Sequence, residues 1–305
     1  MTRALPDVSV VIPTLDRGEV ACETVGALLA LSPAPREVVL VDQTRRHPPA
    51  VAARLERLEA DGRVRRLRQR RASIPAALNR GLAEARSDVV LVLDDDLRPG
   101  PDLVRAHAAR HAPRGFDLVA GRVWQPWDAG RREPAADAVL RDGREFMGGN
   151  FSLDRRRALA LGGFDENFVH VAYRFEAELS GRWRAHGGRI VFAPEAEVWH
   201  AKAAEGGTRV YGDHLRTLLP SHAVGAYYQL LASRPPGFWR AFARRPLRAI
   251  RTRHHLRRPW WIPATLVSEA LGAAWAAGLF LRGPRLASGR GRVPLPRAAR
   301  APEVR

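Results

Sequence analysis

The feature that most constrains the fold is a set of short, nearly continuous apolar runs spaced by helical stretches. "VSVVIP" (residues 8–13), "EVVLVD" (37–42) and "DVVLVLDDD" (88–96) are rich in β-branched residues, and "RVRRLR" (63–68) is a more polar fourth. Strands without alternation are covered on both faces. Helical candidates fall between them at 19–31, 50–60 and 76–85, the last entered through Ile74-Pro75, which suits a first turn. The β-α-β-α-β-α-β order predicts an α/β fold, a doubly wound and mostly parallel, Rossmann-like sheet with its ligand crevice at the carboxyl ends of the strands. Asp42 and Asp94 stand at two such ends, and no internal repeat is evident.

With 305 residues, 46% of them hydrophobic, the chain can bury a sizeable core, which excludes a disordered polycation. The formal net charge is +18, and Lys202 is the only lysine, so nearly all the positive charge is arginine. Such a balance favours polyanions: a nucleotide diphosphate, nucleic acid or an anionic lipid surface. Nucleic-acid recognition would need a groove-reading module or an aromatic stacking platform, and neither is visible, so no nucleic-acid partner is expected. Cys22, the single cysteine, excludes an intrachain disulfide and a thiolate zinc cage. The first residues contain no apolar h-region, so no secretory signal is expected.

Three adjacent carboxylates, Asp94, Asp95 and Asp96, follow the third apolar run. One would suffice for a turn or helix cap before "RPGPDL", which leads into a predicted helix at 102–111. Three repel one another unless a counter-charge is present, typically a hard divalent cation on oxygen ligands. A cation held by so few protein oxygens keeps positions open for diphosphate.

Five segments in order, "VSVVIPTLDR", "VVLVDQT", "ALNRGLAEARSDVVLVLDDDLRPGPDLV", "MGGNFSLDRRRALALGGFDENF" and "YRFEAELSGRWRAHGGRIVFAPEAEVWH", resemble glycosyltransferase family 2 from about residue 8 to 200. The resemblance includes a galactosyltransferase-like C-terminal motif region. It implies a GT-A fold and a nucleotide-sugar transferase, with UDP-sugar the expected donor and Mn²⁺ or Mg²⁺ the expected cofactor. By the same resemblance Pro13, Thr14 and Asp16 border the nucleotide. Asp42 accepts a hydrogen bond from the base, which suits uracil without excluding guanine or thymine. Asn79 matches the asparagine of an "RN.G" element in which Leu78 replaces the usual arginine. Asp94 and Asp96 are the outer members of an Asp-x-Asp element, Asp96 toward the metal and Asp94 toward ribose or metal, with Asp95 as the variable middle.

Gly148 and Gly149 allow close backbone approach, Asn150 and Ser152 can bond sugar hydroxyls, and Gly162-Gly163 turns the chain before Phe164. A glycine hinge around a helix at 154–161 fits the same residues; the resemblance makes this the sugar-binding region, with Phe164, Asp165 and Glu166 as its "GGFDE". Anchored on Glu178, Leu179 and Arg182, the resemblance pairs Phe175 with the family's glutamate and Glu176 with the aspartate that serves as base. Glu176 is then the catalytic base, provided that burial raises its pKa. A surface pair with Arg174 or Arg182 is the plainer reading, and Glu178 is the runner-up base. "GRIVFAPEAEVWH" reads as two strands around a Pro194 turn. It ends in His200, either a structural histidine or, by resemblance, a third metal ligand. The loop after it, with Lys202 and Arg209, is either an ordinary surface loop or one that closes over the diphosphate.

The pattern changes after residue 215. A catalytic domain over 1–215 and a basic helical region over 216–305 are expected. Residues 234–258 hold nine arginines and no acid, and residues 259–281 are long enough to span a bilayer but carry Glu269 and Pro263. A helix in the membrane interface, with Trp260, Trp261 and Trp275 at the headgroups, is expected over a cap packed on the catalytic domain. The tail from Arg282 is expected to be disordered. These readings together describe an inverting, metal-dependent enzyme at the cytoplasmic face of the plasma membrane, acting on a cell-envelope or lipid-linked glycan. An inactive sugar-binding relative is the alternative.

Overall fold

The computed structural model of the protein describes residues 4–111, 118–128, 146–287 and 289–290. Its first half is the expected alternation: β1 (Val8–Thr14), α1 (Gly18–Leu29), β2 (Glu37–Asp42), α2 (Pro49–Ala60), β3 (Val64–Arg68), α3 (Ile74–Glu84) and β4 (Val89–Leu93). Ser73 accepts a hydrogen bond from the Ala76 N–H and Pro75 occupies the first turn, so α3 starts where its sequence dictates. Then follow β5 (Leu97–Pro99), α4 (Leu103–His111), β6 (Leu118–Trp124), β7 (Asn150–Asp154), α5 (Arg155–Ala160), α6 (Phe175–Ala185) and β8 (Ile190–His200).

These strands form one mixed sheet in the order β3-β2-β1-β4-β7-β6-β8-β5. Strands β1 to β4 are mutually parallel; β7 runs antiparallel between β4 and β6, and β5 antiparallel to β8. Alternate residues divide two cores. Val10, Ile12, Val38, Leu40 and Leu91 pack on α1, α2 and α4; Val11, Val39, Val90 and Val92 pack on the side of α3, α5 and α6. Two details differ from expectation. The expected turn after the aspartates contains the strand β5. Residues 190–200 are one strand, with a bulge opposite Gly121/Arg122 that absorbs Pro194, a residue unable to donate to the ladder.

The chain beyond 215 folds as α7 (Ala223–Ser233), α8 (Phe238–Ile250), α9 (Arg253–Arg257), α10 (Ile262–Leu281) and the short β9 (Arg285–Leu286) with β10 (Gly289–Arg290). Among the described residues it has no separate core: Val224, Tyr227 and Tyr228 of α7 and Ala276 and Leu279 of α10 join the cluster of α3, α5 and α6. At Gly272 a Cβ would stand 2.4 Å from that of Ala223, so glycine permits the α7–α10 approach. The expectation of disorder from Arg282 is corrected through residue 287. The Glu166 N–H donates to Arg285 O at 2.8 Å, the Arg285 N–H to Asp165 Oδ1 at 2.9 Å, and the Ala287 N–H to Gly162 O at 2.8 Å. Residues 291–305 of that tail lie outside the described residues. Trp275 is half-buried and sits edge-on to His170, with ring centroids 5.1 Å apart.

Candidate active site

β4 ends at Leu93, so Asp94, Asp95 and Asp96 occupy the crossing to β5 at the sheet's carboxyl edge. Pairing of β5 with β8 sets Leu97 opposite His200 and so brings His200 beside Asp96. One ligand atom each from Asp94, Asp96 and His200 lie within 4.8 Å of one another. The middle residue turns the other way. Asp95 is buried, accepting from Thr14 Oγ1 at 2.7 Å and from Arg17 at 3.0 Å, while Thr24 Oγ1 donates to its carbonyl at 2.7 Å.

Burial raises the Asp94 pKa, and the charges of Asp96 and Asp95 raise it further. Burial also opposes the ionised form of Asp96, but His200, the Ala203 N–H and Arg17 outweigh it and hold that carboxyl below its ordinary value. Asp96 Oδ1 is buried and accepts no aligned hydrogen bond, although His200 Nε2 lies 3.0 Å away. An unsatisfied buried carboxylate oxygen, a second carboxylate held against its own repulsion and an imidazole form a donor set suited to Mn²⁺ or Mg²⁺.

Two adjoining cavities meet at Asp94 and His200, and Asp96 lines the first of them. The first, about 460 Å³, is lined by Pro13, Thr14, Arg17, Gln43, Ser73 and Arg209, among others. The second, about 300 Å³, shares Pro13, Asp94 and His200 with it and ends at Gly148, Gly149, Phe175 and Glu176. The glycine pair leaves room for both carboxyls. A Cβ at Gly149 would lie 2.5 Å from Asp94 Oδ2, and one at Gly148 2.4 Å from Glu176 Oε1. Burial beside Phe175 raises the Glu176 pKa to about 7, with a further push from Asp94. This carboxyl is thereby poised to take up a proton near neutral pH.

A family model described as glycosyl transferase family 2 matches residues 9–178, more than half of the chain. The chain belongs to glycosyl transferase family 2. No curated protein matches it. Its GT-A fold is shared with solved glycosyltransferases. The mannosyltransferase PcManGT from Pyrobaculum calidifontis, in complex with GDP-Man and Mn²⁺, has 20% identity and a TM-score of 0.56, over 91% of this chain and 79% of that one. GalNAc-T7, with UDP, GalNAc and Mn²⁺, has 14% identity and a TM-score of 0.61, over 90% and 55%, so this chain spans little more than half of it. TarS from S. aureus, residues 1–349 with UDP-GlcNAc, has 14% identity and a TM-score of 0.55, over 87% and 90%.

Several residues expected to touch substrate in this family member are instead committed to the fold. Asn150 is fully buried: its Nδ2 donates to Arg122 O and Ala196 O, and its Oδ1 faces His107. Ser152 is buried between His107 and His111. Both are at hand only for the core, because β7 lies in mid-sheet. Asn79 clamps Phe164 by a reciprocal pair, Nδ2 to Phe164 O at 2.9 Å and Phe164 N–H to Oδ1 at 2.7 Å. Asp42 is buried against Thr44 N–H and His47, and its neighbour Gln43 faces the cavity instead. Asp16 is exposed on a left-handed residue, with its N–H donating to Thr44. Glu178 is locked to Arg182 by two bonds of 2.7 Å, so the acid facing the trio is Glu176.

Sequence reasoning passed over Arg17. From the loop after β1, it bonds Asp95 and Asp96 and reaches Glu205 O at 2.7 Å and Ala203 O at 3.5 Å, stapling the 201–209 loop to the acidic cluster. Its place three residues beyond β1 was the available signal; the partners, far away in sequence, were not. Arg209 donates to Ala203 O and presents an exposed guanidinium, while Lys202 lies over the Trp127 ring at 4.0 Å. The far wall of the first cavity, His170 stacked on Tyr211 with His214 and His222, lies in part beyond the family match and carries no motif.

Proposed function

We propose that the protein is a metal-dependent, inverting glycosyltransferase that moves a sugar from a nucleotide-diphosphate donor to a hydroxyl acceptor. One observation carries this reading: the Asp94-Asp96-His200 trio and Glu176 line two adjoining cavities that share Asp94 and His200, with Gly148-Gly149 set between Asp94 and Glu176. The first cavity accommodates the nucleotide, and the Glu176 end receives sugar and acceptor. Complexes of structural neighbours with GDP-Man, UDP-GlcNAc and UDP support a nucleotide-sugar donor, here taken as a UDP-sugar.

Glu176 accepts the proton of the acceptor hydroxyl as that oxygen bonds the anomeric carbon and the bond to the diphosphate oxygen breaks on the opposite face, which inverts the centre. A carboxyl pushed up to about 7 by burial matches that task. When bound, a Mn²⁺ or Mg²⁺ ion held by Asp94, Asp96 and His200 supplies positive charge where the diphosphate departs. Arg209 adds charge at the mouth of the cavity. Retention of an acid at 176 with a raised pKa favours an active enzyme over an inactive sugar-binding relative.

The acceptor is proposed to be a cell-envelope or lipid-linked glycan and the site of action the cytoplasmic face of the plasma membrane. The deciding experiment is a thermal-shift screen of nucleotide sugars with and without Mn²⁺, followed by a turnover assay on any donor that binds. Metal-dependent stabilisation by at least one donor is expected; none at all overturns the reading, and binding with no hydrolysis or transfer favours the inactive relative.

A further inference from the structure

No step of sugar transfer uses the outer surface of α8, α9 and α10. Of the nine arginines between 234 and 258, Arg245 alone pairs with a carboxylate among the described residues, Glu269 at 3.1 Å. The other eight are exposed. Arg240, Arg244 and Arg248 repeat every four residues, so they share one face of α8. Interspersed with the arginines in sequence are large apolar side chains in solvent: Trp239 is 79% exposed, Leu256 82% and Trp260 68%. α10 divides in the same manner. Thr265, Ser268, Glu269, Gly272 and Ala276 are buried, whereas Leu266, Val267 and Leu271 face outward.

We propose that this surface docks the protein onto an anionic lipid bilayer, with α10 lying along the membrane rather than crossing it. Unpaired guanidiniums call for anions, and tryptophans beside aliphatic side chains suit the boundary between headgroup and acyl chain. Nucleic acid would satisfy the arginines but leave Leu256, Val267 and Leu271 in water. A second copy would set eight arginines that lack a carboxylate partner against eight more.

Residues 259–281 have the length and hydropathy of a span. Crossing, however, would tear Glu269 from Arg245, Ser268 Oγ from Leu219 O and Gly272 from its seat on Ala223. The same helix backs the wall of the first cavity, since Trp275 packs edge-on against His170, which lines it. Docking therefore holds the cavity close to the lipid surface. The inference goes beyond the transferase reading and does not depend on it, because vesicle binding is read without turnover.

The test is co-sedimentation of the full chain with phosphatidylcholine vesicles and with vesicles containing phosphatidylglycerol, at low and high salt. Binding confined largely to the anionic vesicles and weakened by salt is expected. Combined W239S, L256S and W260S should weaken it about tenfold or more at unchanged charge. R240Q, R244Q and R248Q should each cost roughly fivefold. These residues are exposed, so an unchanged melting temperature confirms that the variants fold. Absence of vesicle binding, indifference to both sets of variants, preferential capture of RNA over vesicles, self-association lost in W239S, or resistance of membrane-bound protein to alkaline carbonate extraction would each overturn the proposal.

Discussion

His200 Nε2 stands 3.0 Å from Asp96 Oδ1 because the β5–β8 ladder places Leu97 directly across from His200. A three-residue strand thus completes a ligand set whose members are far apart in sequence. Asp94, by contrast, is positioned by β4 and by the Gly149 carbonyl, which accepts its N–H at 3.3 Å.

Asp96→Asn should weaken Mn²⁺ binding in the presence of UDP by about 100-fold or more, and His200→Ala by on the order of 10- to 100-fold. Calorimetric titration checks both. Asp95→Asn should behave differently: it loosens Thr14 and Arg17, lowering the melting temperature, with a smaller effect on cation affinity. Equal effects of all three substitutions on Mn²⁺ binding would mean that the middle aspartate is not the anchor described here.

Glu176 gives a prediction in two directions. The base must be ionised, so transfer should rise with pH through about 7 and then level off. Its pKa is raised above the unfolded value of 4.5, so between these limits the unfolded chain loses a proton that the folded chain keeps. Stability from this group therefore falls as pH rises through that window, by up to about 3 kcal/mol. Glu176→Gln should abolish transfer, leave donor binding intact and melt higher than the parent at pH 8 in the presence of a chelator. A lower melting temperature would show that the carboxyl is not held against burial.

The glycine pair separates the two halves of the site. Gly149→Ala crowds Asp94 and should weaken Mn²⁺ affinity, whereas Gly148→Ala crowds Glu176 and should lower kcat with donor affinity nearly unchanged. Titration calorimetry and kinetics on the two variants check this split.

Arg17→Ala removes a guanidinium shared by two buried carboxylates and two loop carbonyls. A loss of about 2–4 kcal/mol is expected, less when Mn²⁺ is bound because the cation takes over part of the compensation. Donor affinity should drop with it, since the 201–209 loop loses its staple. Urea unfolding with and without Mn²⁺ measures the difference.

The legible parts of this protein are local ones. Apolar runs without alternation announced β1, β2 and β4, and the step from Leu93 to three aspartates marked the sheet's carboxyl edge. Ser73 and Pro75 gave the start of α3. Residue type alone misled where a polar side chain is spent on packing. Asn150 and Ser152 look like sugar ligands and Asn79 like a nucleotide-side residue, but only the tertiary fold shows that they bond Phe164, His107 and two strand carbonyls. Arg17, one arginine among many in a chain of net charge +18, could not be told apart until its partners were visible.

A proton-ordered chain underlies the last prediction. Asn150 Nδ2 donates to two carbonyls, which leaves Oδ1 to accept from His107 Nε2–H at 2.9 Å. His107 Nδ1 then accepts from Ser152 Oγ–H, and Ser152 accepts from His111 Nε2–H, both at 2.8 Å. Both rings must be neutral for burial to be tolerated, and burial lowers each pKa to about 4. Below about 6.5 the unfolded chain binds protons that the folded chain refuses, so stability falls as pH drops from 6.5 toward 4, by up to about 3 kcal/mol per histidine. Glu176 contributes with the opposite sign in an overlapping range, so the measurement belongs in the E176Q background. There the urea midpoint should decline steadily from pH 7 to 4.5, and His111→Gln should flatten that decline. A midpoint indifferent to pH would mean that the rings carry no such penalty. Because β7 follows directly on Gly149, loosening this chain in acid should also weaken cation binding before the fold is lost.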